Sequence, residues 1–264
     1  MTPSFRAILA ARRSSAKIQY NDWVAVAMRS LCAALLVVFA CSFAAAQQVT
    51  LDPESSQYHP TVPTITFHFD LPGGSPSHYT IAVEPSGSAA YRSNGGETNE
   101  ATETSSGEPY LMRFVMSEAS RQRVFKLAEK LGYFKGSFDY TKRPVANTGS
   151  KTLTYADPQR HFSTTYNYTE NADIQELTRF FQAVSNTLEF GRRLAFMQRF
   201  DKLGLHGELQ KMVQMADEQQ LAEVQAVAPV LQKISKDTSV MHVARLNAER
   251  LLDRSANGNP SASR

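Results

Sequence analysis

The chain has 264 residues, 42% of them hydrophobic, and a formal net charge of +3. The positive excess sits in the first 46 residues, which hold five of the 28 Lys and Arg and one of the 25 Asp and Glu. The remaining 23 bases and 24 acids are near balance, which excludes the broad basic footprint of a nucleic-acid-binding protein.

Leu31 to Ala46 reads LCAALLVVFACSFAAA, without a charge, behind Met28-Arg29 and ahead of Gln47-Gln48. A basic start, an apolar run and a small-residue Ala44-Ala45-Ala46 close form the three-part pattern of an export leader. The expectation is a leader over residues 1–46, with Met28 as its true start. Cleavage is favoured over an anchor through residues 30–46, because the run falls short of the ~20 apolar residues of a comfortable span. Val38-Phe39-Ala40-Cys41 loosely resembles a lipoprotein box, so lipidation at Cys41 is an alternative. Both cysteines, Cys32 and Cys41, and the lone tryptophan, Trp23, lie in this leader. A chain cut after Ala46 has no disulfide, thiolate metal site or cysteine nucleophile. The expected location is periplasmic or extracellular, with membrane attachment only through an uncleaved leader or Cys41.

Residues 47–63 read as a polar linker. Thr64 to Leu71 then alternates strictly, with Ile65, Phe67, Phe69 and Leu71 on one face and Thr66, His68 and Asp70 on the other, as a half-buried strand does. His78–Val83 and Ser88–Arg92 form a hairpin about Pro85-Ser86-Gly87. Residues 93–109 have Ala101 as their only apolar side chain and read as an acidic, flexible excursion. Tyr110–Met116 returns as a strand. Ser117 caps a helix whose stripe is Val124, Leu127, Ala128 and Leu131, and Gly132 ends it. Tyr133-Phe134 is expected to pack back under the sheet. Lys151–Ala156 and Arg160–Tyr168 form a second hairpin about Asp157-Pro158. Asn171 or Asp173 caps a helix carrying Ile174, Leu177, Phe180, Phe181, Val184 and Leu188.

Strands, helix, strands, helix predicts an α+β domain over residues 64–189, with a mostly antiparallel sheet and two packed helices. After Phe190 only helical spacing recurs. Residues 190–254 predict an all-α extension of three or four helices, broken at Gly204 and Gly207, at Pro229 and at Asp237-Thr238-Ser239. Residues 255–264 are a polar, disordered tail.

No nucleophile elbow, zinc-helix, phosphate-loop or dinucleotide motif is present. The six histidines have no helical ligand spacing. His68 and Asp70 share a strand face and, joined by His78 or His161, would make a metal site or acid–base pair; the plainer reading is a solvated sheet face. Phe162, Tyr166, Tyr168 and Tyr155 read as a stacking surface or, more simply, as buried sheet packing. Met212, Met215 and Met241 are core packers or the lining of a partner groove. Asn167-Tyr168-Thr169 is a formal glycosylation sequon.

Tyr79-Thr80-Ile81, Ser86-Gly87, Tyr91 and Leu131-Gly132-Tyr133-Phe134 resemble the consensus of a family of small exported bacterial α+β domains of unknown function, over residues 77–190. Many members enter the first of these strands with Cys-Pro-x-Tyr; Ser75-Pro76-Ser77-His78-Tyr79 stands here instead, so any disulfide of that stretch is lost. The resemblance implies a fold and no activity. The chain is therefore expected to be a non-enzymatic interaction or scaffold module of the cell envelope. It needs no cofactor and does not bind nucleic acid, and a protein partner would dock on the C-terminal helices. No residue is assigned a catalytic, cofactor-binding or metal-binding role. The alternative is an envelope hydrolase or metal-dependent enzyme using His68 and Asp70.

Overall fold

A computed structural model describes residues 60–94 and 109–256, all within one compact unit, Tyr58–Arg264. The expected leader with Cys41, most of the linker and the acidic excursion lie outside the described residues, as does most of the tail.

Six strands form one antiparallel sheet: β1 (Thr64–Asp70), β2 (His78–Val83), β3 (Ser88–Ser93), β4 (Tyr110–Val115), β5 (Ser150–Ala156) and β6 (His161–Tyr166), in the order β4-β3-β2-β1-β5-β6. The period-two alternation sends Ile65, Phe67, Phe69, Tyr79, Ile81, Val83, Tyr91, Leu153 and Tyr155 to one buried face. The opposite face carries Thr66, His68, Thr80, Arg92, Thr152 and Thr165, half-buried or exposed. Among the described residues the helices cover the first face, so the architecture is α+β, as the strand and helix order predicted.

Helix α1 (Glu118–Lys130) starts at Ser117, whose hydroxyl accepts the Ser120 amide at 3.4 Å. It stops where Gly132, Tyr133 and Phe134 take three successive left-handed conformations, with φ of 62°, 59° and 68°. A left-handed non-glycine residue costs ~1–2 kcal/mol, and two in a row need compensation. Phe134 is fully buried, and the Tyr133 ring lies 4.5 Å from that of Tyr155 with the Arg160 guanidinium 4.2 Å from its centre.

Helix α2 (Ala172–Phe200) begins at Asn171, whose side chain accepts the amides of Asp173 and Ile174, so Asn171 rather than Asp173 is the cap. Its Phe181 ring stacks on Phe67 of the sheet, centroids 5.1 Å apart and 8° from parallel. The helix continues without a break through residue 190, where the sequence pattern changes. Between Val184 and Gly191 it is buried nearly all round, because the remaining helices pack on its far side. These are α3 (Leu205–Asp217), α4 (Ala228–Lys236) and α5 (His242–Ala256), with a short 3₁₀ turn at Val224–Val227. Pro229 restarts the chain within the first turn of α4, and Gly204 precedes α3. Gly207, expected at a break, lies inside α3, where an added Cβ would meet open space.

Two contacts fix the 3₁₀ turn and the residue before it against α1 and α2. Glu223 is buried in the left-handed region (φ 57°) and accepts the Ser117 amide at 2.7 Å and its hydroxyl at 2.9 Å, placing a carboxylate at the start of α1. Gly191 lets Val227 press against the α2 backbone; a methyl group there would collide with the valine. Replacing Gly191 by Ala should gain ~1 kcal/mol of helix propensity and lose more to overpacking, a net loss of about 1 kcal/mol. Urea denaturation of Gly191→Ala, alone and with Val227→Ala, checks this: the glycine substitution should become neutral or stabilising once the valine is trimmed.

Candidate functional site

The expected pair on β1 is placed by register. His68 lies opposite Thr80 and Asp70 opposite His78. His68 Nδ1 is 3.0 Å from Thr80 Oγ1, and His78 Nδ1 is 3.6 Å from Asp70 Oδ1. The sheet thus brings His78 to Asp70. It does not bring His161, which pairs with Ala156 and through it with Thr64 at the other end of β1. All these side chains lie on the open face. Among the described residues no three His, Cys, Asp or Glu side chains gather in a way that could hold a metal ion.

The aromatic face divides. Tyr155 and Tyr166 are buried against the helices, and Tyr166 hydrogen-bonds Thr178 at 2.6 Å; burial pushes its phenol up to about 12. Phe162 is half-buried on the same face. Tyr168 lies beyond β6, edge-on to Tyr140. These rings are mainly packing, as sheet aromatics at period two require.

Three buried polar groups escape a reading of motifs. Glu189 sits on the inward stripe of α2 and accepts the Tyr91 hydroxyl at 2.8 Å, the Ser93 hydroxyl at 2.7 Å and Arg192 Nε at 2.8 Å. Burial, and then the charge of Glu189, hold the Tyr91 phenol far above its usual range, so it stays a donor. Lys151 points inward from β5, and its ammonium donates to the carbonyls of Thr148, Gly149 and Asn167 and to the Thr148 hydroxyl. Burial lowers its pKa. Asp157 turns the β5–β6 hairpin. Burial pushes its carboxyl up, but Arg160 and the amides of Gln159 and Arg160 outweigh that and hold it below the usual range. Each of these groups is satisfied by the protein itself. No local signal marks Glu189, because a glutamate one residue past Leu188 is equally suited to a solvated helix face.

A surface feature that packing does not explain lies on the last turns of α2 and the turn that follows it. Phe196, Phe200 and Leu203, spaced four and three residues apart, are 49%, 71% and 80% exposed. The Phe196 and Phe200 rings are 5.0 Å apart. Lys202 beside them donates to Asp237 at 2.7 Å, so the α2–α3 turn is fixed against the α4–α5 turn. Of the expected methionines, Met212 is core, Met215 half-buried and Met241 exposed. No helix among the described residues is long and apolar enough to cross a membrane.

The Glu189 cluster is tested by stability. Glu189→Ala strands the Tyr91, Ser93 and Arg192 donors and should cost about 2–4 kcal/mol in urea denaturation, with Glu189→Gln losing less because its amide oxygen still accepts. No protein-family model matches the chain, and no curated protein matches it.

Proposed function

We propose that the chain is a non-enzymatic interaction module of the cell envelope, with its helical C-terminal part supplying the partner surface. The observation that carries this reading is the Phe196–Phe200–Leu203 ridge. Three large apolar side chains close in sequence, two of them more than two-thirds exposed, cost solubility without joining the core formed by the described residues. Phe196 and Phe200 sit on a helix whose other turns are locked into the core, and Leu203 on the turn that Lys202 ties to Asp237, so the ridge is presented on a rigid support. Export rests on the leader pattern between Met28 and Ala46. The residues that carry the resemblance to small exported domains act in packing and turns: Tyr79 and Tyr91 are buried, and Gly87 has φ +88°.

The second reading, an envelope hydrolase or metal-dependent enzyme, draws on the approach of His78 to Asp70 beside His68. Its reactive groups would stand on an open, solvated sheet face, where electrostatic stabilisation of a reacting group is weak.

The ridge is tested with Phe200→Ser/Leu203→Ser, which removes apolar surface without touching the core. Photo-crosslinking from position 196 in an envelope fraction should yield a discrete adduct that the double variant loses, with unchanged circular dichroism. Equal adducts from both chains would remove the ridge from this role. For the second reading, the His68→Ala/Asp70→Ala double variant should bind the same metal and show the same hydrolytic background as the parent. A loss of either would move the function to the sheet face.

A further inference from the structure

The sheet has a second feature that packing leaves unused, its β4 edge. Met116 donates its amide to the Gly87 carbonyl at 2.9 Å, and the register places Val115 opposite Ser88. Alternation along an antiparallel ladder then turns the amides and carbonyls of Tyr110, Met112 and Phe114 toward β3. Those of Leu111, Arg113 and Val115 face away from it. β4 is the last strand of the sheet, and among the described residues nothing hydrogen-bonds this outer row. Leu111 is 61% and Val115 72% exposed, and the exposed Arg113 between them makes no ion pair among the described residues. The opposite edge differs: just past β6, Asn167 and Tyr168 take hydrogen bonds with Asp139 and Tyr140 of the segment after α1.

An edge with free amides takes another strand. A second copy of this chain fits it poorly. Antiparallel pairing joins outward residues to outward residues, so the symmetric register sets Leu111 against Val115 and Arg113 against its own counterpart. Like charges directly opposite destabilise a pair. Shifting the register one way brings in Pro109, which has no N–H. Shifting it the other way brings in Ser117, whose N–H is already bound by Glu223.

We propose that the β4 edge is a strand-addition site for an extended acidic peptide, one that sets a carboxylate across from Arg113 and apolar side chains across from Leu111 and Val115. The backbone ladder supplies affinity, and the Leu–Arg–Val row supplies selectivity. The site is separate from the helical ridge and stands or falls without it.

The test uses the full chain and two capped, fluorescein-labelled, threonine-rich peptides. One carries valine, glutamate and isoleucine at alternate positions; its twin has lysine for the glutamate. Backbone amide shifts should change at Leu111, Arg113 and Val115 on adding the glutamate peptide. By anisotropy it should bind about 5-fold tighter than the lysine twin, the upper range for one cross-strand charge pair. Arg113→Glu should reverse that order, and Arg113→Gln should abolish the preference. The proposal is overturned if neither peptide perturbs those amides, which would make Arg113 only a charge that keeps the edge unpaired. It is also overturned if both peptides bind equally, or if sedimentation shows a dimer that occupies the edge.

Discussion

Helix α2 is the element on which the rest of this structure depends. One of its faces completes the core of the sheet, through contacts such as Phe181 on Phe67. Its other face carries the helices that follow. A helix serving two layers at once must be buried nearly all round, and from Val184 to Gly191 it is. That demand explains its odd residues. Gly191 is there because Val227 needs the space, and Ser185 and Glu189 face inward because Tyr91 and Ser93 need partners.

Buried carboxylates recur at the junctions between elements distant in the chain. Glu189 joins α2 to β3, Glu223 joins the 3₁₀ turn to the start of α1, and Glu208 of α3 is paired with Arg193 of α2 at 2.5 Å. Taking a carboxylate out of water is costly, and each of these is offset by several donors or by an arginine. Their contribution is therefore more to the choice of one arrangement of the layers than to net stability. An alternative packing would leave a charge without its donors. This gives the junction a definition that leucines and valines, which pack acceptably in several registers, do not supply.

With these buried carboxylates satisfied, the surface is where partners can act. The open sheet face is dominated by hydroxyls that pair with one another, Thr152 with Thr165 and Thr154 with Ser163. The most exposed large apolar side chains among the described residues are at the far end of α2 with the turn after it, and on the β4 edge. They present different chemistry, side-chain area in one case and a backbone ladder with a central cation in the other, and so suit different partners.

The sequence by itself determined the elements and their faces. Strict alternation in Thr64–Asp70 and helical spacing in Ile174–Leu188 each bury one side, whatever they pack against, so strand positions, hairpins, caps and the α+β class were legible. Asn171, Ser117 and Gly132 marked helix ends by local chemistry alone. The tertiary structure decided everything that joins residues distant in the chain. The pairing of β1 with β5 set His161 apart from His68, and the burial of α2 from both sides carried the helix through the change of pattern at Phe190. A glutamate in a helix gives no local sign of whether it meets water or Tyr91, because that depends on which surface the opposite layer brings to it. The exposure of Phe196, Phe200 and Leu203 is of the same kind. Their spacing matches that of core residues, and only the absence of a neighbour among the described residues distinguishes them.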